Sequence, residues 1–91
     1  MDITIQSLHF TAREPLTELI NSKVEKLSRL NSKIQAAEVT LSLDHAGGDG
    51  NKVCEIRLVV PGNDIFAKRQ RDSFEAALAE VVDALEHQLR K

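Results

Sequence analysis

Two groups of cations stand out by type and spacing. Lys23, Lys26 and Arg29 recur every third residue in SKVEKLSR, and Lys68, Arg69 and Arg71 crowd into KRQR. Cations at this density bind phosphate through charge, largely without regard to base sequence. The second group sits just ahead of a helix start, where the dipole and free N–H groups favour anions. Three cations there point to an anion supplied by a partner. Each group also has a plainer reading. The first can be a solvated helix face whose lysine stems cover apolar surface, and the second can be edge cations that discourage strand pairing.

The groups that do catalysis are scattered. His9, His45 and His87 fall at a strand end, in a loop and on the polar side of a helix. None has metal-ligand spacing with another histidine or with Cys54. Cys54 points toward the inferred core, where a thiol behaves as a small hydrophobe. Glu75, Glu80, Asp83 and Glu86 spread over the outer face of the last helix and read as a solvated surface. Ala46-Gly47-Gly48-Asp49-Gly50 lacks the Gly-Lys-Ser/Thr ending of a phosphate loop and leads into a strand, so it reads as a hairpin connection. No enzyme chemistry, cofactor, metal or small-molecule substrate is expected.

Alternation and helical spacing supply the elements that must carry these cations. Residues 2–8 alternate, with Ile3 and Ile5 on one side, and read as a half-buried strand. Thr11 and Glu14 have capping-box spacing and Pro15 suits a first turn, so a helix starts at 12–15. Leu16, Leu19, Ile20, Val24, Leu27 and Leu30 form its apolar stripe, with Lys23 on the stripe and Lys26 and Arg29 to one flank. Strands follow over 36–44 and 53–60, then a turn at Pro61-Gly62-Asn63-Asp64 and a short fourth strand, DIFAKRQ. Asp72 or Ser73 caps a last helix with Phe74, Ala77, Leu78, Val81, Val82, Leu85 and Leu89 on its apolar side. The order β-α-β-β-β-α predicts an α+β, two-layer sandwich: a four-stranded sheet with two helices on one face and the other face polar and open.

The totals set bounds. Ninety-one residues make one domain. With three Phe and no Trp or Tyr, stacking on single-stranded bases is disfavoured. A single cysteine permits no internal disulfide and fits a reducing compartment. No apolar run is long enough to span a membrane and the first residues do not form a signal peptide, so a cytoplasmic protein is expected. The net charge of −2 hides an uneven distribution. Residues 13–33 and 64–71 are basic, whereas 72–91 hold five acidic residues against two basic ones, Arg90 and Lys91.

HFTA (9–12), SKVEKLSRL (22–30), VTLSLD (39–44), CEIRLVVPGNDIFAK (54–68) and DSFEAALAEVVDALEHQL (72–89), in this order and spacing, resemble the short ribosome hibernation promoting factor / ribosome-associated translation inhibitor family. The resemblance covers nearly the whole chain. It implies a β-α-β-β-β-α fold similar to a double-stranded-RNA-binding domain, with two parallel helices on one sheet face. It also implies a non-enzymatic protein that binds the small ribosomal subunit and its rRNA in the decoding channel, at the A and P sites. There it blocks tRNA and mRNA in stress or slow growth. Long members add a C-terminal domain that pairs ribosomes. This chain stops at Lys91 and is expected to be a short-type member, monomeric in isolation.

Lys23, Lys26 and Lys68 match positions that contact RNA in the family. Arg29, Arg69, Arg71, Arg90 and Lys91 join the expected surface on charge. Ala84, Glu86 and His87 stand where members commonly carry Lys or Arg. An interaction module that binds protein through the open sheet face remains the alternative.

Overall fold

The computed structural model describes residues 1–44 and 50–90. His45, most of the glycine-rich connection with its Asp49-Gly50 turn, and Lys91 lie outside the described residues. The elements are β1 (Asp2–Ser7), α1 (Glu14–Ser28), β2 (Ala36–Leu43), β3 (Lys52–Val59), β4 (Ile65–Arg71) and α2 (Phe74–Leu89). The expected order and α+β class hold. The sheet order is β1-β2-β3-β4, with β1 parallel to β2 and the other two pairings antiparallel. The single parallel pair follows from α1, a crossover long enough to return the chain to the same end of the sheet.

Strand alternation sets the faces. Ala37, Val39 and Leu41 of β2, Cys54, Ile56 and Leu58 of β3, and Ala67 of β4 point to the helices and are buried. Ile20, Val24 and Leu27 of α1 and Ala77, Leu78, Val81, Val82 and Leu85 of α2 close the core from the other side. Phe10, ahead of α1, stacks on Phe74 at the start of α2 with ring centroids 5.0 Å apart. Further along, Lys23 and Lys26 of α1 share a groove with Val82 and Glu86 of α2. The helices therefore run side by side in the same direction.

Two details of α1 differ from the sequence reading. The Thr11/Glu14 capping box does not form: the N-cap is Arg13, with no side-chain cap, and Pro15 lies in the first turn. A missing cap forgoes about 1 kcal/mol. Burying Ile20, Val24 and Leu27 contributes about 1.5–3 kcal/mol each, so packing decides where the helix forms. The helix also ends at Ser28, which leaves Leu30 outside the apolar stripe and 40% exposed. In α2 the Ser73 side chain accepts from the Ala76 N–H at 3.1 Å, which selects Ser73 over Asp72 as the cap. No helix among the described residues is long and apolar enough to cross a membrane.

Candidate nucleic-acid interface

Lys23 and Lys26 lie on the α2 side of α1, and Arg29 stands at its C-cap. The side chain of Lys23 is half-buried, while Lys26 and Arg29 are exposed. Lys23 and Lys26 line a groove completed by Ala79, Val82, Asp83 and Glu86 of α2. The two helices thus form a floor with a cationic rim on one side and an acidic rim on the other. None of the Lys23, Lys26 and Arg29 side chains has an ion pair or hydrogen bond among the described residues. Lys33, which the sequence reading passed over, is exposed just after α1 and its side chain is likewise unpaired. Its backbone N–H bonds Asn31 Oδ1 at 2.9 Å, which tightens the turn that presents it. The signal for Lys33 was its place four residues beyond Arg29, past a helix end that the apolar pattern blurs. Cations at a helix C-terminus complement the dipole, so their concentration there needs no partner to form.

The β4 cations are organised differently. A strand alternates faces, so KRQR splits. Ala67 is buried on the helix side, which puts Arg69 and Arg71 on that side and Lys68 on the open face. Arg71 makes a two-pronged contact with Glu80 of α2, Nε and Nη2 each 2.5 Å from a carboxylate oxygen. Arg69 Nε lies 4.0 Å from the same carboxylate. The anion expected from a partner is therefore supplied, for these two arginines, by Glu80.

The same arginines cover the outer edge of β4. Asp44 N–H bonds Asn51 O across β2 and β3, and the register then points the Phe66, Lys68 and Gln70 backbone groups away from β3. Arg69 Nη1 donates to Lys68 O at 2.8 Å, Arg71 Nη1 to Gln70 O at 2.6 Å, and Gln88 Nε2 to Phe66 O at 3.2 Å. Of the three cations, Lys68 has no ion pair among the described residues, and it stands across from Glu55 on the open face.

At the end of α2, Arg90 reaches Glu86 at 4.0 Å. His87 Nδ1 lies 2.9 Å from Asp83 O and 3.6 Å from the Asp83 carboxylate. Parallel helices bring this end beside Arg29. Lys91, the last expected contact, is outside the described residues.

The open sheet face is mixed in charge. Arg57 pairs with Glu38 at 3.1 Å and with Asp64 at 3.6 Å. Beside Arg57 stands Phe66, which parity turns outward and leaves 59% exposed. Among the described residues no group of His, Cys, Asp and Glu side chains is placed to hold a metal. Cys54 is fully buried, and that burial, with the Glu55 charge beside it, pushes its thiol up to about 12. It is a protonated core group at neutral pH.

The chain is 35% identical over 79 residues to a ribosome hibernation promotion factor of Deinococcus radiodurans, covering 86% of this chain but only 41% of that protein. It is 27% identical to ribosome hibernation promoting factors of Acinetobacter guillouiae and Pseudomonas putida, covering all of this chain and 86% and 85% of theirs. The fold matches a ribosomal subunit interface protein from Coxiella burnetii with a TM-score of 0.87 at 19% identity, over 99% of this chain and 94% of that one. It also matches the N-terminal domain of Thermus thermophilus Protein Y with a TM-score of 0.83 at 24% identity, over 98% and 96% of the two chains. Residues 3–91 match the family described as Sigma 54 modulation protein / S30EA ribosomal protein, and the chain belongs to that family.

Proposed function

We propose that this protein is a cytoplasmic, non-catalytic ribosome hibernation factor. It binds the small ribosomal subunit in the decoding channel, excludes mRNA and the A- and P-site tRNAs, and halts translation in stress or slow growth. The observation that carries the reading is the unpaired cation row Lys23, Lys26 and Arg29 on the helical layer, extended by Lys33. None of these four charges is ion-paired among the described residues, although Lys23 and Lys26 share their groove with Asp83 and Glu86. Family membership and the hibernation factors among the relatives support the ribosome as the source of that phosphate. Arg90 adds charge at the same end of the layer and Lys91 is included on its charge alone, while Arg69 and Arg71, tied to Glu80, contribute less.

Cosedimentation with purified small subunits tests the proposal. The protein travels with the subunit at low salt, and a fourfold rise in salt lowers affinity on the order of a hundredfold for four phosphate contacts. Added to a cell-free translation system, it lowers output. Absence of cosedimentation at low salt, or binding indifferent to salt, overturns the proposal.

A further inference from the structure

The two edges of the sheet are finished in opposite ways. On β4 the three outward carbonyls are taken by Arg69, Arg71 and Gln88, and cations flank the strand. On β1 the Asp2 and Leu8 N–H groups bond the Gln35 and Leu41 carbonyls. In a parallel pair this points the even residues at β2 and turns the N–H and C=O groups of Ile3, Ile5 and Ser7 outward. No side chain caps any of these groups among the described residues. The strand, DITIQS, contains no Lys, Arg or Pro, and its ends are bounded by the exposed Met1 and Leu8. It lacks the usual devices that stop an edge from pairing.

We infer that the β1 edge is a pairing surface for β1 of a second copy of this chain, joined antiparallel about a two-fold axis through Ile5 to give one continuous eight-stranded sheet. The strand is complementary to itself in this register. Ile5 meets Ile5, Ile3 meets Ser7 and Thr4 meets Gln6, so every outward amide finds a partner amide. The only charge in the strand, Asp2, falls opposite Leu8, so no like charges oppose each other.

The helices allow this approach. α2 packs over β3 and β4, while α1 lies toward β1. Lys23 and Lys26 occupy the α2 side of α1, in the groove shared with Val82 and Glu86. Helical spacing puts Thr17, Asn21 and Ser28 on the opposite flank, toward β1, so the two cationic rows would not meet across the seam. The expectation of a monomer came from a chain in which nothing marks which strand lies bare at an edge. This inference is independent of ribosome binding and of its outcome.

Sedimentation equilibrium of the full chain tests it. The average mass rises with concentration from 10.1 kDa toward that of a dimer. Ile5→Lys places two ammonium groups face to face and weakens association about tenfold or more. Ser7→Pro does the same by removing an outward N–H, at an edge position where proline is tolerated. Circular dichroism confirms that both variants are folded. Thr4→Cys/Gln6→Cys forms intermolecular disulfides on oxidation, because the two positions face each other in a non-hydrogen-bonded pair with Cα atoms about 4.5 Å apart. Cys54, being buried, stays silent as an internal control. A wild-type chain that remains monomeric at millimolar concentration overturns the inference. So does a dimer that survives both folded variants at unchanged affinity, or a double-cysteine variant that does not cross-link.

Discussion

α1 with its C-cap, and β4, each carry three cations within a few residues, and the two sets end up in different chemical states. A helix of 3.6 residues per turn gathers positions 23, 26 and 29 toward one side. A strand of period two sends position 68 to one sheet face and positions 69 and 71 to the other. The α1 cations are unpaired among the described residues; Arg69 and Arg71 converge on Glu80 and cap their own strand edge. Equal charge density along a chain therefore does not mean equal charge available to a polyanion. The element's period and the acids across the seam decide it.

The sharpest way to break the comparison is to reverse charge in each set. Lys23→Glu/Lys26→Glu replaces two free cations with anions beside Asp83 and Glu86, and small-subunit affinity should fall on the order of a hundredfold, with relief of inhibition in cell-free translation. Arg69→Glu/Arg71→Glu should weaken binding only a few-fold. Its main effect falls on stability, because three carboxylates then crowd the β4–α2 seam in place of a pairing worth up to about 1 kcal/mol between half-exposed groups. A midpoint drop of several degrees in thermal unfolding would report this. If the two double variants lose affinity equally, the paired and free cations are equivalent and the comparison fails.

A gentler test releases the held arginines. Glu80→Gln removes the carboxylate that holds Arg69 and Arg71 and leaves a side chain of similar shape. Small-subunit affinity should rise a few-fold, and its salt dependence should steepen by about 0.7–0.9 in the log–log slope for each phosphate newly neutralised. Stability should fall by about 1 kcal/mol or less. Unchanged affinity with an unchanged slope would mean that the two arginines lie outside the contact surface even when free.

Much of this is legible in the chain. Ile3/Ile5, the alternation of Ala37–Leu41 and the spacing of Ile20, Val24 and Leu27 each point to the face they occupy, because burial and period act locally. The split of Lys68 from Arg69 and Arg71 follows from strand period alone, but Ile65, Phe66 and Ala67 are three apolar residues in a row, so the chain does not show which set faces the helices or that Phe66 is left exposed. What the chain does not show is the Glu80 contact: it closes a seam between β4 and α2, and its geometry depends on how α2 crosses the sheet. The start of α1 falls at Glu14, within 12–15 and with Pro15 in the first turn as expected, and only the capping box fails, for a related reason. Thr11 and Glu14 have the right spacing for a cap, but the core contacts of Ile20, Val24 and Leu27 set the helix two residues further on, with Arg13 at the cap. The bare β1 edge is invisible in the sequence because nothing local marks which strands end up outermost.

The smallest expected effect discriminates most finely. Among the described residues Lys68, like Lys26, makes no ion pair, yet it lies on the open face of the sheet, beyond the layer that carries the α1 row. It shares that face with Glu55, Arg57 and Gln70, the last bonded to Asp44 and to Gly50 O at 2.9 Å each. An rRNA surface pressed against the helices reaches Lys26 and Arg29 but must wrap around the β4 edge to reach Lys68. Lys68→Ala should then change small-subunit affinity by less than about twofold and leave the salt slope unaltered, whereas Lys26→Ala should lower the slope by about one phosphate's worth. An equal loss for both would mean that rRNA embraces the β4 edge from both sides. In that case the caps on Lys68 O and Gln70 O, and not the helical layer alone, would belong to the contact surface.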